Sequence, residues 1–259
     1  AIGNPPRRSG GFFDAFHRHR RFWVCKHVSS EHSPRVSRAW VEEMAAKWGR
    51  DSDVYRVRVQ GEFPKGEEDA FISLDMVEAA VARDVPEGGP VEIGVDVARY
   101  GDAETVIVGR QGGRVLFLRA YRKRGVTEVT GLVIQAAKDL REQTGAERVR
   151  VKVDDTGVGG GVTDGLRDVA AERLPWLQVV PVDFGGAGDE RYSNATSRMW
   201  GQVRELLEAG ELSLPADDDL IGQLSNRKYR VDVRGRIRLE TKEEMRRRGV
   251  PSPDRADAL

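Results

Sequence analysis

From Val91 onward the chain alternates in a way that few architectures accommodate. "VEIGVDVA" and "ETVIVGRQGGRVLFLRAYRK" give three strands in a meander, the last two joined by a Gln111-Gly112-Gly113 turn. A helix is predicted over about 127–143, because Val129, Leu132, Val133, Ala136, Ala137 and Leu140 recur on one face. "ERVRVKVDD" then reads as a fourth strand, "GVTDGLRDVAAER" as a second helix and "LQVVPVDF" as a fifth strand. After the Gly-rich "GGAGDERYSN" come a helix over about 194–209, a short helix near 217–224 and a hairpin, "KYRVDVRGRIRLE", turning at Gly235. The chain closes on the start of a final helix. Ser252 can cap it, Pro253 suits its first position and Asp254 sits in its first turn.

This order, a three-strand meander followed by alternating helices and strands, is that of a ribonuclease-H-like core. The expectation is an α/β fold at about 89–259, with a mixed sheet, flanking helices and a C-terminal β-hairpin. The preceding part is less regular. A short aromatic helix follows "AIGNPPRRSGG", and a strand is predicted around Phe22 to His27. One good helix is capped by Ser33 or Ser37, with Trp40, Met44, Ala45 and Trp48 at helical spacing. A connector with a small helix at Leu74 to Arg83 leaves through the Pro/Gly-rich stretch from Pro86 to Pro90. The chain starts without Met and stops in "DRADAL", so it reads as a piece of a longer protein; no GxxxxGK[ST] loop occurs in it.

Asp96 poses the main question, because a carboxylate at the end of a buried strand is costly unless something cationic compensates it. Alone it reads as a strand-end aspartate bonding a turn, and Asp102, in "YGDAET", reads as a loop stabiliser. Asp154 and Asp155 end the fourth strand in "VRVKVDDTGVGGG", where sites form in open α/β sheets. Gly157, Gly159 and Gly161 make a dinucleotide-binding loop the rival reading. Two upstream carboxylates would repel a pyrophosphate, and Val162 stands where the third glycine of that fingerprint should fall. Asp254 and Asp257 lie one helical turn apart, and for Asp254 alone helix-dipole complementation is an adequate account.

In a ribonuclease-H-like sheet these weak signals share one geometry. The first strand and the end of the fourth are neighbours there, and a C-terminal helix packs across them, so Asp96, Asp154 and Asp254 would converge. Three such carboxylates need a compensating charge, and Mg²⁺ or Mn²⁺ is the hard cation suited to them. Two ions about 4 Å apart cleave phosphodiesters without a histidine base. That matters here, because His17, His19, His27 and His32 all lie near the start. The lone Cys25 excludes an internal disulfide or a Cys-rich zinc site and fits a reducing cytoplasm.

Lys plus Arg and Asp plus Glu balance at 42 each, so polyanion binding must come from local patches. Each basic cluster alone reads as solvated surface. The hairpin at 228–238 is the best candidate for tracking a DNA backbone, with Arg230, Arg234, Arg236 and Arg238 on one face opposite Val231, Val233 and Ile237. No apolar run approaches the about 18 residues of a membrane span.

"GVDVARYGDAET", "VDDTGVGGGVTDGL", "SNATSRMWGQVRELLEAGELSLP" and "SPDRADAL" together resemble the nuclease domain of the large terminase subunit of tailed bacteriophages. "GNPPRRSGGFFDAF" and "VQGEFP" resemble the tail and linker of that protein's packaging ATPase. The resemblance implies residues 1–62 as an ATPase remnant, 63–88 as linker and 89–259 as nuclease. It implies an endonuclease that cuts double-stranded viral DNA concatemers with two Mg²⁺ or Mn²⁺ held by Asp96, Asp154 and Asp254. Asp155 shares the Asp154 position, Asp257 matches a second C-terminal acid, and Asp102 is an auxiliary ligand or loop stabiliser. DNA, the portal protein, the small terminase subunit and the ATPase domain of the same chain are the implied partners, in the cytoplasm of an infected bacterium. The rivals are a Holliday-junction resolvase or transposase on the same fold, and a non-catalytic DNA-binding assembly module.

Overall fold

The computed structural model describes residues 2–5, 10–65, 70–98 and 103–259. Its helices are α1 (Gly10–Phe16), α2 (Arg38–Trp48), α3 (Asp53–Tyr55), α4 (Leu74–Val81), α5 (Val126–Thr144), α6 (Gly159–Arg173), α7 (Ala195–Ala209), α8 (Asp218–Asn226), α9 (Lys242–Arg247) and α10 (Asp254–Asp257). Its strands are β1 (Val91–Asp96), β2 (Thr105–Gln111), β3 (Arg114–Tyr121), β4 (Val149–Asp154), β5 (Leu177–Val182), β6 (Tyr229–Val231) and β7 (Ile237–Leu239). The chain divides into two compact units, one of residues 1–79, 217–230 and 239–252, the other of 80–216, 231–238 and 253–259.

The second unit is built on a five-stranded sheet in the order β3-β2-β1-β4-β5. β1 runs antiparallel to β2 and parallel to β4, and β4 runs parallel to β5. Period-two alternation sorts the residues of the central strands onto two faces. One face presents Ile93, Val95, Ile107, Val151 and Val153 to Val129, Val133 and Leu140 of α5 and to Val162 and Leu166 of α6. Burying each such side chain contributes about 1.5–3 kcal/mol, so this face anchors the fold. The predicted apolar stripe of α5 is the one that packs, and the helix stops at Gly145, left-handed at φ 67°, whose N–H bonds the Arg141 carbonyl. The other face carries Glu92, Gly94 and Asp96 of β1 opposite Arg110, Val108 and Val106 of β2. Alternation puts two charged groups and a glycine where the first face has only apolar residues.

In the first unit, Ser37 caps α2 by accepting from the Trp40 N–H. The buried face of α2 is Val41, Met44 and Trp48, and Trp40 is exposed. Met44 and Trp48 are buried as expected, and Val41 takes the place expected for Trp40. The reason is α8, which packs so closely that a Cβ on Gly222 would lie 2.7 Å from the Trp48 ring, while Asn226 donates to the Trp48 carbonyl. Arg58 pairs with both Glu78 and Asp218. The strand expected around Phe22 to His27 is a correction: a 3-10 turn spans Arg20–Phe22, and among the described residues no strand pairs with the extended stretch beyond it. Trp23 and Val24 are exposed, so apolar character there is not matched by a ladder.

The hairpin forms, but β6 and β7 are three residues each. Its turn is organised by Asp232, which accepts from the N–H groups of Arg234 and Arg236, with Gly235 at φ 78°. The final helix begins one residue later than expected, at Asp254 with Pro253 at its N-cap.

Candidate metal centre at the strand ends

β1 and β4 pair in parallel with Val95 beside Val153. One residue further along both strands, Asp96 and Asp154 end up side by side at the carboxyl edge of the sheet, and strand parity puts them on the same face. Asp96 is buried, at 6% exposure. Asp155 has the opposite parity and is exposed, with its N–H on the Val182 carbonyl. The structure thus separates the two neighbours that the sequence left equivalent.

Asp154 is oriented by the turn between β4 and α6. Its Oδ1 accepts from the Thr156 hydroxyl at 2.6 Å and from the Thr156 N–H at 3.0 Å. The glycines after it serve the chain's own turn: a Cβ on Gly159 would lie 1.6 Å from the Asp154 carbonyl oxygen, so only glycine lets α6 start this close to the strand end.

α10 lies on the same face. A Cβ on Gly94 would stand 2.0 Å from the Ala258 carbonyl oxygen, and Ala258 packs with Val106 and Val108. Asp254, 6% exposed, accepts on Oδ2 from the Glu104 N–H at 2.9 Å, just before the start of β2, which pairs with the end of β1. Asp257 accepts on Oδ1 from the buried Trp200 indole N–H of α7 at 2.9 Å. Asp96 and Asp154 thus end neighbouring strands on one face, and Asp254 is held at Glu104, next to the strand that pairs with the end of β1. Asp102 lies outside the described residues. Among the described residues, no group of three or more His, Cys, Asp or Glu side chains is arranged to hold a metal ion.

A cavity of about 190 Å³ runs along this face from Asp154 and Asp257 to Glu92 and Lys152, walled by Trp200 and Met199 of α7. At its far end Glu92, with a side chain 5% exposed, takes Arg110 at 2.5 Å, Arg150 at 3.0 Å and Lys152 at 2.9 Å. Burial pushes the Glu92 carboxyl up, but Lys152 and Arg110 outweigh it and hold the group below the usual carboxylate range. A depressed folded value adds stability that is complete above the ordinary carboxylate pKa and lost as pH falls through the folded one. The gap in melting temperature between the parent and Glu92→Gln should be widest above about pH 5 and close on acidification. A gap that is constant between neutral and acidic pH would show that charge is not what Glu92 contributes.

The hairpin arginines differ in their surroundings. Arg230 pairs with Glu244 at 2.7 Å and Arg236 with Asp232 at 3.0 Å. Arg238 is engaged as well, and Arg234 is exposed at the turn. Val231 and Val233 are exposed. Sequence reading missed Thr156, Trp200 and Glu104 as partners of the acids. Only Thr156, two residues from Asp154, carried a local signal.

No protein-family model matches the chain. A probable large terminase subunit of Enterobacteria phage P7 is 24% identical over 288 residues, covering 99% of this chain and 55% of that protein. The chain thus spans about half the length of this curated relative. The nuclease domain of the large terminase subunit gp2 of bacterial virus Sf6 matches with a TM-score of 0.60 at 18% identity, over 73% of this chain and 96% of that domain. A variant of that domain with manganese and beta-thujaplicinol matches with a TM-score of 0.59 at 17% identity and the same coverage. In sequence and fold the chain is similar to large terminase subunits, and its mixed sheet with flanking helices is the ribonuclease-H-like fold of those nuclease domains.

Proposed function

We propose that the chain carries the nuclease of a large terminase subunit, a Mg²⁺- or Mn²⁺-dependent endonuclease that cuts double-stranded DNA concatemers during viral genome packaging. The observation that carries this reading is the placement of Asp96 and Asp154 at adjoining parallel strand ends, with α10 bringing Asp254 to the same face across Gly94. The donor set is all carboxylate oxygen, which suits a hard divalent cation and does not suit zinc or copper. Asp96, Asp154 and Asp254 would hold two such ions. Asp257, fixed by Trp200, would assist, as would Asp155 or Asp102. Bound there, ions of this kind supply an activated water and charge stabilisation of the leaving oxygen.

The protein's own share of the work is positional. Thr156 holds one oxygen of Asp154, and the Glu104 N–H holds one oxygen of Asp254. Ligation would bring the three carboxylates together, an arrangement that an intervening divalent cation makes favourable. The hairpin with Arg230, Arg234, Arg236 and Arg238 would contact phosphates without reading bases, which makes cutting weakly sequence-dependent and salt-sensitive. In this reading residues 1–62 derive from the packaging ATPase, 63–88 link and 89–259 cut. The partners are the ATPase domain, the portal protein and the small subunit in the cytoplasm of the infected bacterium. Among the described residues no helix is long and apolar enough to cross a membrane.

Supercoiled plasmid incubated with the protein should be nicked and linearised in Mn²⁺ and left intact in EDTA. Retardation of DNA without cleavage in Mn²⁺ would favour an assembly module, and a strong preference for branched over linear duplex would favour a resolvase. Either result would displace the packaging nuclease.

A further inference from the structure

Glu104 was not singled out by any motif, yet it touches two successive residues of α10. Its backbone N–H donates to Asp254 Oδ2 at 2.9 Å, and its carboxylate Oε2 accepts from Arg255 Nε at 3.0 Å. Both side chains of the ion pair are 14% exposed. A third arm, Arg122 to Oε1 at 3.2 Å, is 66% exposed on the Arg side and correspondingly screened. The two inner contacts close a ring: one residue grips adjacent helix positions at two points, which sets both the place and the orientation of the Asp254 carboxylate.

α10 needs such a grip. A helix of four residues has almost no stability of its own, so its position comes from what it is fastened to. Trp200 fastens Asp257 at the other end, and the Ala258 carbonyl rests over Gly94. Neither of these contacts touches the Asp254 side chain, whereas the Glu104 N–H does.

We propose that Glu104 and Arg255 are positioning residues for Asp254, acting through the peptide N–H that the ion pair holds in place. The proposal rests on the nuclease reading. It places the effect of the pair on divalent-ion affinity and turnover, not on DNA affinity.

The test uses the whole chain and the variants Glu104→Gln, Arg255→Gln, the double variant and Arg255→Lys. Mn²⁺ binding is followed by calorimetry without DNA, plasmid cleavage gives kcat and KM, and amide hydrogen exchange reports the Glu104 N–H. Each Gln variant should weaken Mn²⁺ binding and lower kcat by about tenfold, as supporting partners of metal ligands do, with KM for DNA within about twofold. The double variant should be no worse than either single one, because both remove the same ring. Arg255→Lys, which keeps the charge, should recover part of the loss, and Arg122→Gln should change neither quantity beyond about twofold.

Gln variants with parental kcat and Mn²⁺ affinity and only a lowered melting temperature would reduce the pair to a structural bridge. Losses that multiply in the double variant would also overturn the proposal. Failure of the parent to bind Mn²⁺ or cut DNA would instead sink the nuclease reading. The grip is read separately: the Glu104 amide should be protected in the parent and exchange faster in Arg255→Gln, and an unprotected amide in the parent refutes the grip whatever the chain does to DNA.

Discussion

Asp96→Asn is expected to lower plasmid cleavage by about 10³-fold or more while leaving the fold intact. Asn keeps the size and shape of the side chain but removes its charge and replaces one acceptor oxygen with an NH2 donor. A neutral amide oxygen is a poor ligand for a hard divalent cation, and metal-assisted phosphodiester hydrolysis draws several kcal/mol of its transition-state stabilisation from that ion. Stability should respond far less. Asp96 is buried at the end of β1 beside the end of β4, and Asn fits the same space, so the metal-free melting temperature should stay within a few degrees of the parent. Loss of activity without loss of stability, measured on one preparation, is the diagnostic pair. Parental cleavage by the variant would remove the catalytic centre from this strand end.

The second large effect is expected from a residue with no side chain. In Gly94→Ala the new methyl would stand 2.0 Å from the Ala258 carbonyl oxygen and 3.1 Å from its carbon. Both are backbone atoms, so no rotamer change relieves the clash and α10 must move as a body. Forcing a methyl into a packed contact costs about 1–3 kcal/mol, which should lower the melting temperature by several degrees. The larger loss should be in turnover, because α10 carries Asp254 and a displacement of about 1 Å at a reacting centre can cost about 10²-fold. Gly131→Ala is the control. Gly131 lies within α5, where an added Cβ meets nothing within 4 Å, and exchanging a helical glycine for alanine should stabilise by about 0.5–1 kcal/mol with activity unchanged. Parental kcat in Gly94→Ala would mean that the placement of α10 does not matter to the reaction.

Regularity decided which parts of the fold were legible in the sequence. β1 to β5 and α5 to α7 could be read because a one-sided burial pattern repeats with the period of the backbone, and each stands within a few residues of its expected bounds. The stretch after Phe22 misled for the complementary reason: β-prone residues make a strand only when a neighbour offers a ladder, and among the described residues none does. On α2, Met44 and Trp48 are buried as the spacing predicts, and at its start Val41 rather than Trp40 faces inward, because two neighbouring apolar residues leave the choice to the packing of α8.

The candidate site divides in the same way. That carboxylates end β1 and β4 came from local pattern, as did the glycines that turn the chain from Asp154 into α6. That Glu92 gathers Arg110, Arg150 and Lys152 from two other strands could not be read from any of the four positions alone. Glu104 was hidden for the same reason, since Asp254 lies 150 residues away from it. The arginines of the hairpin looked alike in the sequence, until Glu244 and Asp232 were found against two of them.

From Val91 onward the amino-acid sequence by itself determined the order of strands and helices, the burial of their apolar faces and the supply of acids at strand ends, because these depend on periodicity and on residues within a few positions of each other. Tertiary structure alone decided which of Asp154 and Asp155 shares a face with Asp96, what holds Asp254 and Asp257, and which charges are already compensated. Those outcomes depend on Coulomb and hydrogen-bond contacts, which act over a few ångströms of space and are indifferent to separation along the chain.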